Sequence, residues 1–373
     1  MMRDPSFRHD KDEIKELLRL FENLKAGRSQ SFLEEEAFEK LVDYFDDQDD
    51  IAKALEASQY ALEQYPYSAG LHLKRADILI AARHYTEALD LLEKATSLDD
   101  SNIHLYILKT DVYLAMDKQA KAVEILEEAL GKFEGEEQVE LLFELADVYD
   151  DYEEFDKLFD CLKLILDQEP TNEEALYKIC FWTDFTGRNE ESVKLHMRII
   201  NQHPYNELAW FNLGAAYQGI KLYEKAIDAY AYAIAIDEKF DYAYRNMGDA
   251  YIRLRKYKDA IEVLEKVLEL SRPEDVIYEA IGHCHDKMNH YAQARFYYRK
   301  ASHLNTGDSK LLFKIAGTYM NESQFGQAIK HLEAAMRIHQ QVPEYNLAMG
   351  ECYLQQGSIK EAIQYFSNVV AYK

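Results

Sequence analysis

The sequence predicts an all-helical solenoid, a stack of helical hairpins, and three observations predict it. Small and apolar residues recur at a fixed step of 34 residues over most of the chain. Glycine (14) and proline (6) are scarce among 373 residues with an Ala, Leu, Glu and Lys background, which favours helix. Within each unit, apolar residues fall in two stripes spaced by three and four, one helix face each.

The chain opens on a charged segment without an apolar centre, so no secretory signal is expected. Residues 11–25 then place Ile14, Leu17, Leu18, Phe21 and Leu24 at helical spacing, which reads as an N-terminal capping helix in a 1–34 tail. Ser31 and Glu34 fit a capping box opening the first hairpin.

The repeat is clearest at 207–240 and 241–274. Aligned end to end, Gly214 falls on Gly248, Tyr217 on Tyr251, Tyr223 on Tyr257 and Ala226 on Ala260. The same step gives units starting near 35, 69, 103, 139, 173, 207, 241, 275, 309 and 343, with two extra residues near Gly135. The tenth stops within its second helix at Lys373. A hairpin cannot bury its own stripe, so successive hairpins must stack into one core. Small residues such as Gly214 and Ala226 stand where paired helices approach most closely. Pro66, Pro170 and Pro204 mark the ends of units. The 173–206 unit departs from the pattern at Cys180, Thr183, Asn189 and Ser192, and 139–172 has Leu158 for alanine, so irregular stacking is expected between 131 and 195.

Trp210, Leu213, Gly214, Tyr217, Ala226, Tyr230 and Ala233 carry a pattern that resembles the tetratricopeptide repeat (TPR) family, and the resemblance covers 35–373. It implies a right-handed superhelix whose concave groove is lined by the first helix of each hairpin. Transferred position by position, the groove in 139–172 includes Phe143, Glu144, Asp147 and Asp151, and in 35–68 it is acidic as well, through Glu36, Glu39, Asp43, Asp46 and Asp47. Further along come Tyr177, Phe181 and Phe185, then Phe211, Asn212, Arg245, Asn246 and Asp249. Asn212 and Asn246 share one repeat position, as in the asparagine ladders of the O-linked N-acetylglucosamine transferases, whose amides hold a peptide backbone. Ala280, Lys314 and Ala348 interrupt the series. The carboxylate clamp of chaperone-binding TPR modules is incomplete, because Asp249 and Ala280 stand where it needs asparagines, so a heat-shock co-chaperone role is disfavoured.

The formal net charge of −25 disfavours nucleic acid and anionic membrane surfaces and suits a partner with basic and apolar residues. The four cysteines (161, 180, 284 and 352) lack metal or disulfide spacing and read as buried thiols of a cytoplasmic protein. Gly131-Lys132 lacks the rest of a phosphate loop, and no GxSxG or HExxH occurs. His283 and His285 point to opposite sides of a helix, so with Cys284 and His290 they read as core and surface residues rather than metal ligands. No cofactor, metal or catalytic residue is expected. The expected function is a non-catalytic scaffold or adaptor that binds a polypeptide segment in the groove, centred on 140–250. Two alternatives stand beside it: a self-assembling structural protein associating through its C-terminal end, where no polar cap is visible, and the targeting portion of a larger enzyme.

Overall fold

A computed structural model describes residues 6–27 and 32–371, and all the regular structure among them is helical. Helix α1 (Ser6–Lys25) precedes ten hairpins. The first four are α2/α3 (Glu35–Asp47, Ile51–Gln64), α4/α5 (Ala69–Ala81, Tyr85–Leu98), α6/α7 (Ile103–Ala115, Gln119–Leu130) and α8/α9 (Glu136–Asp151, Phe155–Gln168). The next three are α10/α11 (Glu173–Thr186, Asn189–Gln202), α12/α13 (Glu207–Gly219, Tyr223–Ile236) and α14/α15 (Asp241–Arg253, Tyr257–Leu270). The last three are α16/α17 (Asp275–Lys287, Tyr291–Leu304), α18/α19 (Ser309–Asn321, Phe325–Ile338) and α20/α21 (Pro343–Gln355, Ile359–Ala371). They form two compact units, Met1–Gln168 and Glu169–Lys373. No helix is long and apolar enough to cross a membrane among the described residues.

The starts of the first helices are written locally. Ser68, Asn102, Asn172, Asn206 and Asp308 each accept a hydrogen bond from a backbone N–H in the first turn that follows. The expected capping box differs: Ser31 lies outside the described residues, and Glu34 caps α2 without a side-chain bond. The two extra residues near Gly135 are absorbed by starting α8 early, at Glu136, behind a left-handed Gly135 with φ +66°.

Every hairpin turns the same way. Residues 49, 83, 117, 153, 187, 221, 255, 289, 323 and 357 all have positive φ, yet only 187 and 357 are glycine. Each non-glycine there costs about 1–2 kcal/mol. The turn persists because it satisfies helix-end carbonyls, as where His84 N–H donates to Leu79 O and Leu222 N–H to Tyr217 O, both at 2.8 Å.

In the 207–240, 241–274 and 275–308 hairpins, a small residue of the first helix receives a large side chain of the second. A Cβ built on Gly214 would lie 2.6 Å from the Tyr230 ring, one on Gly248 2.7 Å from Leu264, and one on Gly282 2.7 Å from Tyr298. Helix α1 closes the first unit by burying Phe21 against Phe45 and Tyr60, with Leu17, Leu18 and Leu24 packed around it.

The 173–206 hairpin breaks this rule, and its geometry follows. Cys180 stands at the glycine position and His196 at the ring position. Helix α10 packs more extensively on α12 than on its own partner α11. His196 is fully buried, with neither ring nitrogen hydrogen-bonded, and burial drives its pKa down to about 3.

Two outcomes follow from this packing. Gly248→Leu should lower the thermal stability of the second unit by about 1–3 kcal/mol through overpacking against Leu264, read in a melting curve. The His196 ring stays neutral in the folded chain down to about pH 3 but takes up a proton near its ordinary value of 6.5 when unfolded. Below that value the unfolded chain binds the extra proton, so stability falls with pH by up to about 1.4 kcal/mol per unit. His196→Leu should remove that slope between pH 6.5 and 5 in urea titrations. An unchanged slope would show that the ring is not buried as a neutral group.

Candidate binding surfaces

In each unit the first helices of successive hairpins touch one another in order: α2, α4, α6 and α8 in one, α10, α12 and α14 in the other. Each series presents a continuous side-chain surface, and the two surfaces differ in chemistry.

The first unit's surface is acidic at a fixed place. Asp43, Asp77, Asp111 and Asp147 occupy the ninth position of four consecutive repeats. A cavity of about 440 Å³ lies there, lined by Glu39, Asp43, Asp46, Leu73, Asp77 and Leu108 among others. Lys74 pairs with Asp43 at 2.6 Å. Asp77 and Asp111 have no ion pair among the described residues. Partial burial raises the Asp77 carboxyl above its ordinary value, with Asp46 and Asp43 adding to the effect and Lys74 opposing it. Asp111 is raised by burial and by Asp77. Sequence reading had singled out neither residue, although their shared repeat position with Asp43 and Asp147 was the available signal. Of the expected residues in 139–172, Asp147 and Asp151 are exposed, while Phe143 and Glu144 are half-buried.

The second unit opens on an aromatic row. Tyr177, Phe181 and Phe185 follow one another up α10 at a spacing of four and are 63%, 62% and 60% exposed. Phe181 and Phe185 stack with centroids 6.2 Å apart, and Trp182 meets Phe181 edge-on at 4.8 Å. Exposed rings also occur singly elsewhere, as at Tyr67 and Tyr205, but here three adjoin in one row, and contiguous apolar patches mark interaction sites.

The other expected residues of this unit are engaged internally. Phe211 is half-buried between Tyr230 and Phe240, at 5.7 and 5.0 Å, and fills the stack. Asn212 is 3% exposed, and its Nδ2 donates to Leu176 O at 2.7 Å. Its amide therefore ties α12 to α10 instead of standing open as a ladder rung. Arg245 pairs with Glu274 at 2.8 Å, which raises its pKa, and lies 5.7 Å over the Tyr242 ring. Asn246 is half-buried and bonds the Tyr230 hydroxyl. Asp249 accepts from Gln218 Nε2 at 2.9 Å and lies 3.6 Å from Arg253.

Between α10, α12 and α14 lies a cavity of about 500 Å³ that includes Cys180, Asp184, Asn189, Asn212, Gln218 and Asn246 in its lining. Burial and the nearby Asp184 push the Cys180 thiol up to about 12, so it is no nucleophile at neutral pH. Elsewhere, His285 stacks on Tyr297 at 5.4 Å, and no group of three or more metal-ligating side chains is assembled among the described residues.

Family comparisons agree with the hairpin geometry. Residues 39–103 and 343–373 each match a tetratricopeptide repeat model, and residues 211–349 match the C-terminal ARM domain of tetratricopeptide repeat protein 21. No curated protein matches the chain. Among solved structures, the chain is similar to MamA at 22% identity, over 43% of this chain and 93% of MamA, with a TM-score of 0.41. It is similar to YrrB, titled a TPR protein with an unusual peptide-binding site, at 19% identity over 47% and 91% of the two chains, TM-score 0.42. It is similar at 13% identity to a structure of the APC/C hetero-tetramer Cut9–Hcn1, over 91% of this chain and 87% of that one, TM-score 0.39. With matching repeat models toward both ends and ten hairpins at a 34-residue step broken once, near Gly135, the chain belongs to the tetratricopeptide-repeat family.

Proposed function

We propose that the protein is a non-catalytic interaction scaffold that holds a polypeptide segment against the first-helix surface of its second unit. The observation that carries this reading is the row Tyr177, Phe181 and Phe185, large rings each more than half exposed on one helix face. Rings of this kind give much contact area at low entropic cost. Asn246 and Asp249 stand nearby as polar contacts, with Phe211, Asn212 and Arg245 supporting them from within. The segment it suits carries apolar residues for the rings and basic residues for an acidic protein of net charge −25. The aspartates of the first unit, with Phe143, Glu144, Asp147 and Asp151, form a separate acidic surface for further basic stretches of a partner. Cys161, Cys180, Cys284 and Cys352 are all free thiols, which favours a reducing, cytoplasmic location.

Affinity capture from native lysate, with wild type beside a Tyr177→Ala/Phe181→Ala variant, tests this reading. Both side chains are exposed, so the variant should melt like wild type. A captured partner should bind the variant on the order of thirtyfold more weakly. A capture list unchanged by the variant would remove the α10 row from the function.

A second reading rests on α21, where Ile359, Ile363 and Val370 lie on one face and are 61%, 59% and 70% exposed. That face suits self-association. Light scattering at high protein concentration should then show a dimer that Ile363→Glu abolishes, whereas a monomer throughout excludes it.

A further inference from the structure

The cavity between α10, α12 and α14 borders a repeat that lacks the bulk its neighbours carry. Thr183 stands where the next two repeats have Tyr217 and Tyr251, and Asn189 where they have Tyr223 and Tyr257. Two rings are missing, and polar groups line the space they would fill.

The amides there have a defined orientation. Asn212 Nδ2 is spent on the Leu176 carbonyl at 2.7 Å, leaving Oδ1 as its unspent atom. Gln218 Nε2 is spent on the Asp249 carboxylate at 2.9 Å, and its Oε1 accepts from the Tyr230 hydroxyl at 3.1 Å. Because Leu176 O and Asp249 are acceptors only, neither amide can be turned round. Asn189 is only 8% exposed and lines the cavity, yet its side chain has no hydrogen bond among the described residues. The absence of a side chain on Gly219 makes room for that amide. The amide is thus open to whatever fills the cavity. Asp184 adds a carboxylate with no ion pair among the described residues. The unspent acceptors are the Asn212 Oδ1, the Asn189 amide oxygen and the Asp184 carboxylate. The cavity also holds two cations: Arg253, which lies 3.6 Å from Asp249, and Lys221, which has no ion pair among the described residues.

We propose that this cavity receives a guanidinium group, the arginine side chain of the segment held on the α10 aromatic row. A planar cation with five donors matches several acceptors at different angles better than the compact ammonium of lysine. Asp184 lies within one helical turn of both Phe181 and Phe185, so a segment resting on those rings carries its side chains past the cavity mouth. The inference rests on the reading of that row as the docking surface, and the test separates the two.

Random 12-residue peptides displayed on phage are selected on the full chain, and an enriched peptide is then synthesised for fluorescence polarisation. Arginine should be enriched at one position. Its replacement by citrulline, which keeps the shape and removes the charge, should weaken binding to wild type on the order of tenfold. Asp184→Asn should weaken binding of the arginine peptide to a similar degree and leave the citrulline peptide unaffected. Asp184 is exposed, so the variant should melt as wild type does. Peptides that are lost on Phe181→Ala but show no arginine preference overturn the guanidinium site and leave the docking surface standing. Peptides indifferent to Phe181→Ala, or no enriched peptide at all, overturn both. Agmatine raising the melting temperature of wild type and not of Asp184→Asn, with no arginine preference among the peptides, assigns the cavity to a free guanidinium compound and overturns the peptide assignment.

Discussion

The close approach of a small residue on the first helix to a large side chain on the second is the constraint on which the rest depends. Gly214 against Tyr230, Gly248 against Leu264 and Gly282 against Tyr298 set the separation of the two helices in consecutive hairpins. That separation decides where the next hairpin can seat, because packed interiors leave no slack to absorb a misfit. Buried alanines opposite, such as Ala226, Ala260 and Ala294, keep the second helices equally close. First helices touch first helices in series from α2 to α8 and from α10 to α14, and within each series a side chain at one repeat position faces the same surface.

A second constraint acts at the turns. A left-handed residue recurs at the same place in all ten hairpins, although eight of the ten are not glycine. Local preference opposes the conformation at Arg83 or Lys221. The helix-end carbonyls satisfied by the following amide, and the core sealed by the two helices, outweigh it. The turn is thus imposed by packing, and the sequence is free to vary there.

Function arises where the first constraint is relaxed. With Cys180 and His196 in place of the glycine and the ring, α10 moves away from α11 and toward α12. The same repeat exposes Tyr177 and Phe181 and borders the cavity with Asn189. One irregular repeat therefore supplies an apolar platform and borders a polar recess, with α12 and α14 of the same unit completing the recess. In the first unit the stacking stays regular and the recurring position carries aspartate. Partial burial, with like charges beside it, makes the Asp77 and Asp111 carboxyls hold their protons more tightly.

The fold was legible in the sequence because its determinants are periodic. Stripes spaced by three and four, a small residue facing a large one in many repeats, and an Asn, Ser or Asp before many first helices are local signals repeated along the chain. They determined the helices, the hairpins and the family. The disruption at Cys180, Thr183 and Asn189 was visible too, as departures from the pattern. The fate of individual surface residues was not visible, because it depends on what the neighbouring repeat brings. Phe181 and Phe211 both lie on the first-helix face, yet one stands open while the other is covered by Tyr230 and Phe240. Asn212 and Asn246 share one repeat position, yet the Asn212 amide is consumed by Leu176 O because α10 lies against α12. Repetition in the chain decides which residues face which side. Only the packing of each hairpin on its neighbours decides which of them remain free to meet a partner.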